Sequence, residues 1–147
     1  MVAYSFKARF AAPIVDRIKP HTLRNRRKRH ARPGETLQLY TGMRTRHCRL
    51  IGTATCDRLQ AISIDFTSSE PIWLCEVRHP EPSVFHEFGV SVPVTAPEAF
   101  AISDGFESLE DMARFWRDEH DVSEWDGILI GWDVTTLVLP EPREVAA

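Results

Sequence analysis

Three residues in the stretch Ile18-Lys-Pro-His-Thr-Leu-Arg24 have side chains that can act together. A threonine hydroxyl such as that of Thr22 is a weak nucleophile until a base takes its proton. A lysine stripped of water, here Lys19, has a lowered pKa and serves as that base. Arg24 is suited to holding an anionic or carbonyl oxygen. In an extended segment side chains repeat every two residues, which puts Thr22 and Arg24 on one face.

A second constellation follows immediately. Arg24, Arg26, Arg27, Lys28, Arg29 and Arg32 are clustered, with Arg44, Arg46 and Arg49 close behind, and no acid lies between Asp16 and Glu35. Such a loop suits phosphates, with strongly salt-dependent binding. The whole chain is split in charge. Residues 1–49 hold 13 Lys+Arg and 2 Asp+Glu, and residues 50–147 hold 5 and 19, which together give the formal −3 of the 147-residue chain. A basic half of this kind points to a polyanionic partner.

Several classes are excluded. No apolar run of 18 residues or more occurs, so no membrane span is expected. The first ten residues lack the apolar core and cleavage site of a secretory signal. Cys48, Cys56 and Cys75 are an odd set without CxxC spacing, which predicts free thiols and a cytoplasmic setting. Cys75-x-x-x-His79 has no accompanying metal-ligand pair, and buried cysteine explains it better. There is no P-loop, GxGxxG or GxSxG.

The elements that must position these residues read as α+β. Tyr4 to Phe10 alternates as a half-buried strand. Pro13 fits the first turn of a short helix with Ile14, Val15 and Ile18 as its apolar stripe, stopped by Pro20. Residues 25–33 are too polar to pack and are expected as an exposed loop. Strands are predicted over 36–41, 48–56, 60–66 and 71–75, with Gly42 and Gly52 at turns or bulges. This spacing suggests a small mixed or antiparallel barrel. Pro80, Pro82 and Pro93 argue for irregular structure over 76–95. A helix is predicted over 97–102, and another after the N-cap Ser108, with Leu109, Met112, Phe115 and Trp116 on one face. Residues 126–132 read as a closing strand. Residues 1–135 form one domain, and 136–147 a loose tail.

Lys19-x-x-Thr22-x-Arg24 resembles the signature of the ASCH domain, a relative of the PUA domain. Arg32-Pro-Gly-Glu35 before a strand, Asp104-Gly-Phe106 before a helix, and the closing strand match the order of elements in that family, over about residues 4–133. Tyr40-Thr-Gly-Met-Arg44 and Phe115-Trp116 resemble a subgroup common in phage and prophage genomes. The resemblance implies a PUA-like β-barrel with flanking helices. It also implies an amidohydrolase that deacetylates N4-acetylcytidine with a Thr, a Lys and a Glu. Those roles fall on Thr22, Lys19 and, in place of the Glu, Asp104, which is one methylene shorter. Arg24, Tyr40, Arg26 and Arg44 are the expected substrate contacts, and no cofactor or metal is called for. The alternative is a module that binds RNA or DNA, single strands included, through the basic Arg24–Arg32 loop, a ribonuclease in one version, in which His21, His30 and His47 supply acid or base chemistry.

Overall fold

A computed structural model describes residues 1–27, 29–81 and 84–141; among the strand residues, side chains at 78–81 and 84–89 lie outside that description. The chain runs β1 (Val2–Phe6), a 3-10 turn (Ala8–Phe10), α1 (Ala11–Val15), β2 (His21–Arg24), β3 (Thr36–Thr41), β4 (Arg49–Asp65), β5 (Ile72–Glu81), β6 (Val84–Pro93), α2 (Pro97–Ser103), α3 (Leu109–His120) and β7 (Glu124–Val138). The α+β class holds. Among the described residues no helix is long and apolar enough to cross a membrane.

All seven strands belong to one mixed sheet. β1 runs parallel to β3, and the other pairings are antiparallel. The long β4 is its spine. It pairs with β3 through its first half, with β5 through its second, and with β7 along most of its length. β2 adds to the far side of β7. The path β1-β3-β4-β7-β2 therefore curves back on itself, with β1 and β2 at its two ends. The sheet is not closed into a barrel, because no ladder joins β1 to β2. A hydrogen bond bridges that seam, from Arg24 Nη2 to the Ser5 carbonyl at 2.6 Å.

Alternation explains most of the packing. Val2, Tyr4 and Phe6 point into the core from β1, Leu37 and Leu39 from β3, and Ile128 to Ile130 and Trp132 are buried on β7. β4 is a single strand where two were predicted. Register shifts at Thr53/Thr55 and Cys56/Arg58 bend it and break the period-two pattern from which strands are read. Residues 76–95 form most of a hairpin instead of irregular structure. Pro80 and Pro93 are tolerated there because β5 beyond Glu76 pairs only with the edge strand β6, and the register is irregular between Arg78 and Glu81. Pro82 lies outside the described residues. β7 continues to Val138 with Leu137 buried, so residues 136–138 belong to the sheet and not to a tail; residues 142–147 lie outside the described ones.

The loop at 25–35 is better anchored than its composition suggests. His30 and Ala31 are buried; the Tyr4 hydroxyl sits 2.9 Å from His30 Nδ1 and accepts from the Ala31 N–H at 3.1 Å. Arg26, Arg27 and Arg29 remain exposed around that anchor.

Two helix ends place the chemistry. α1 stops at Val15, well before Pro20. The Arg17 N–H bonds the Ile14 carbonyl and the Ile18 N–H bonds the Pro13 carbonyl, which is a Schellman turn. Arg17 takes the left-handed position of that turn, at φ 61°. Glycine is usual there, since such backbone costs other residues roughly 1–2 kcal/mol. α2 ends in the same way: Gly105 N–H to Ile102 and Phe106 N–H to Ala101, with Gly105 at φ 99°. Here glycine is doubly required. A Cβ would lie 2.9 Å from the Phe10 ring and 3.2 Å from Lys19 Cδ. The first turn delivers Lys19 to the interior, and the second delivers Asp104 to meet it.

Candidate functional site

A cleft of about 470 Å³ opens at the seam between β1 and β2. Its polar wall carries Lys19, Thr22, Arg24 and Asp104; its apolar wall is built from Phe6, Phe10, Phe106, Phe115, Trp116 and Trp125. That size and composition suit a small planar ligand.

β2 delivers the first group. It pairs with β7 from His21↔Gly131 to Arg24↔Ile128, and the Trp132 N–H bonds the Pro20 carbonyl, so the ladder is fixed up to the residue after Lys19. Lys19 is 3% exposed. Its Nζ donates to the Asp104 carbonyl at 2.5 Å and to Asp104 Oδ1 at 2.8 Å. The ammonium thereby sits at the C-terminal end of α2, on the carbonyl of its C-cap residue, where positive charge is favoured. It also lies 4.9 Å from the Phe10 ring centre. Thr22 is 5% exposed, and its Oγ1 accepts from Arg24 Nε at 3.3 Å. Thr22 and Arg24 do share a face. Arg24 lies over the Tyr4 and Phe6 rings while holding the Ser5 carbonyl.

Burial sets the electrostatics. It pushes the Lys19 ammonium below the usual lysine range, against the pull of the Asp104 charge. It pushes the Asp104 carboxyl up, with Lys19 opposing. Both shifts favour neutral forms, and a neutral amine is what a base requires. Burial lowers the Arg24 guanidinium to about 10, which leaves it charged at neutral pH.

One expected contact is not made. Lys19 and Thr22 share no hydrogen bond, because both donations recorded for Nζ go to Asp104. The cleft does gather Lys19, Thr22, Arg24 and Asp104, but Tyr40, Arg26 and Arg44 do not line it. Tyr40 lies on β3, one strand beyond β1 from the seam, just after a register shift. Arg44 is in the turn between β3 and β4, and Arg26 is in the exposed loop. Lys28 lies outside the described residues. Of the histidines, His21 and His30 are buried and His47 is exposed, so they form no common acid–base group. Cys56 and Cys75 are buried and Cys48 exposed; the side chain of His79 lies outside the described ones.

The aromatic wall was only partly legible. Trp132, on the closing strand β7, is core. Trp116 is buried yet also lines the cleft, packed at a tilt between the Trp125 ring at 4.5 Å and the His120 ring at 4.7 Å. Trp125 folds across Gly127, where a Cβ would sit 2.1 Å from its ring, and its Nε1 donates to Asn25 Oδ1 at 2.9 Å. The Trp-x-Gly spacing was the available signal.

Beside the cleft lies His21, 2% exposed, with Nε2 3.6 Å from Asp104 Oδ1 and its ring 4.9 Å from the Phe100 ring. Burial holds it well below the ordinary histidine range, and the Lys19 and Arg58 charges add to this. The unfolded chain takes a proton here below about pH 6.5 that the folded chain refuses, so stability falls as pH drops through that point. Unfolding free energies from urea titration at pH 7.5 and 5.5 are expected to differ by up to roughly 1 kcal/mol more in the native protein than in His21→Phe. Equal pH dependence in the two would show that His21 carries none of it.

Compared with known proteins, the chain matches no family model, no curated protein and no solved structure.

Proposed function

We propose that the chain is an amidohydrolase that removes the acyl group from a modified cytidine of the N4-acetylcytidine type, in keeping with its resemblance to the ASCH domain. The observation that carries this is the convergence of Lys19, Thr22, Arg24 and Asp104 on one aromatic-walled cleft. The base stacks on the aromatic wall, which presents the exocyclic amide to β2. Thr22 Oγ1 attacks the acyl carbon as neutral Lys19 takes its proton. The Arg24 charge beside Oγ1 stabilises the developing oxyanion. The C–N bond breaks, the proton goes to the leaving nitrogen, and cytidine departs. Water then hydrolyses the Thr22 ester, releasing acetate, with Asp104 positioning the leaving nitrogen or the water.

Incubation with N4-acetylcytidine, its deoxy form and the free base tests this. Acetate and deacylated product are expected in equal amounts from at least one of the three. No acetate above buffer from any of them would sink the reading.

A second reading has one observation in its favour. The chain leaves the cleft at Asn25, a lining residue, and leads straight into the exposed Arg26, Arg27 and Arg29. A strand whose base enters the cleft would lay its phosphates there. Each phosphate neutralised steepens the fall of log affinity with log salt by about 0.7 for single strands. Anisotropy titrations of a single-stranded oligonucleotide are therefore expected to show a steep salt slope, made shallower in Arg26→Glu/Arg27→Glu. Affinity indifferent to salt would remove phosphate contact.

A further inference from the structure

Neither ring nitrogen of His21 has a hydrogen-bond partner, although the side chain is almost fully buried. A neutral imidazole has one donor and one acceptor, and burying both unmade is costly. Buried polar groups are satisfied so generally that an orphan of this kind calls for a reason. The groups around it come from the segment before β2 and from three elements, α2, β4 and β7. Lys19 is two residues back along the chain. Asp104 at the end of α2 holds Oδ1 3.6 Å from Nε2, and Phe100 of α2 covers the ring. Arg58 on β4 contributes its charge, and Gly131 on β7 is the paired residue. The 3.6 Å separation is too long for a hydrogen bond, and a small side-chain rotation closes it.

Asp104 Oδ1 is thus approached by two residues of one short segment, bonded to Lys19 at 2.8 Å and faced by unbonded His21. The resting arrangement is unproductive for acyl transfer, because the amine that must serve Thr22 is tied to the carboxyl. We propose that His21 is a positioning residue that takes over the Asp104 carboxyl when Lys19 releases it to act on Thr22. This rests on the acyl-transfer reading. One proton passes from Lys19 Nζ to Asp104 Oδ1, which leaves a neutral amine and a neutral acid. The acid then donates its O–H to His21 Nε2. The amine lone pair, now free, takes the Thr22 proton as the bond from Oγ1 to the acyl carbon forms. The imidazole stays neutral throughout, so it holds the acid without adding a second cation beside Lys19.

Two variants and one spectrum test the exchange. His21→Phe keeps the ring contact with Phe100 and removes both nitrogens; His21→Gln restores an acceptor and a donor. On an acylated cytidine, His21→Phe is expected to lower kcat by about 10²-fold, the scale of a misplaced reacting group, with KM unchanged. His21→Gln should recover most of the loss. Wild-type kcat in His21→Phe, or equal impairment in both variants, would overturn the exchange. The second readout needs no turnover. In the nitrogen NMR spectrum of the full chain, the His21 ring signals should move to hydrogen-bonded positions in Lys19→Met, where Asp104 has lost its first partner. Ring signals unmoved in folded Lys19→Met would overturn the proposal. Absence of turnover by the wild type would instead count against the amidohydrolase reading and leave the spectrum to decide the exchange. If Lys19→Met does not fold, the kinetic pair decides.

Discussion

Asp104→Ala is expected to lose about 3–5 kcal/mol of stability at neutral pH, the cost of leaving one member of a buried ion pair alone. The Lys19 side chain is 4% exposed and that of Asp104 6% exposed. Without the carboxylate, the ammonium keeps only the Asp104-position carbonyl and the faces of Phe6 and Phe10. A domain of this size has only about 5–15 kcal/mol in total, so the variant stands near its unfolding limit. The deficit should shrink as pH rises, because burial already lowers the Lys19 pKa and an alkaline medium removes the stranded charge. Lys19→Met/Asp104→Ala should regain most of the loss, since a pair replaced as a pair leaves no buried charge. Urea midpoints across the double-mutant cycle check this. Single and double variants that are equally unstable, or a single variant as stable as the wild type, would mean that the two groups do not form a closed pair.

Thr22→Ala is expected to lower turnover of an acylated cytidine by roughly 10²–10⁴-fold or more, because it removes both the nucleophile and the proton Lys19 must take. Substrate binding should change little, since the ground-state contacts come from the aromatic wall and not from a hydroxyl already bonded to Arg24. Stability should change little too: the side chain's one recorded hydrogen bond is long, at 3.3 Å, and Arg24 keeps its 2.6 Å bond to Ser5. Thr22→Ser should retain much of the rate. Equal rates in Thr22→Ala and the wild type would remove Thr22 from the chemistry.

Part of the polar side of the site was legible in the residues themselves. Lys19, Thr22 and Arg24 are close in sequence and were read from their side-chain chemistry and spacing, whereas Asp104 was reached only through the family resemblance. What local rules missed depends on distant partners. Nothing near Arg17 announces a Schellman turn, because the glycine that usually signals one is absent. Nothing near His30 shows that Tyr4, 26 residues away, will anchor a loop so rich in arginine. The continuity of β4 was hidden by its own bulges, and the β5–β6 hairpin by prolines that an edge position tolerates. Tyr40, at the end of a strand before Thr41-Gly42, and Arg44, close behind the arginine cluster, were expected at the cleft. Sheet order puts them elsewhere, with β1 between β3 and the seam.

The charge split along the chain also acquires a place. The basic segment supplies Lys19 and Arg24 to the cleft and the exposed arginines beside it. Of the acidic side chains, Asp104 alone lines the cleft among the described residues. Acetate and cytidine formation from N4-acetylcytidine, followed in the wild type and in Thr22→Ala at equal folded fraction, tests acyl transfer at this site most directly. The wild type should yield the two products in equal amounts and Thr22→Ala only the buffer background. Acetate from both proteins, or from neither, would contradict it.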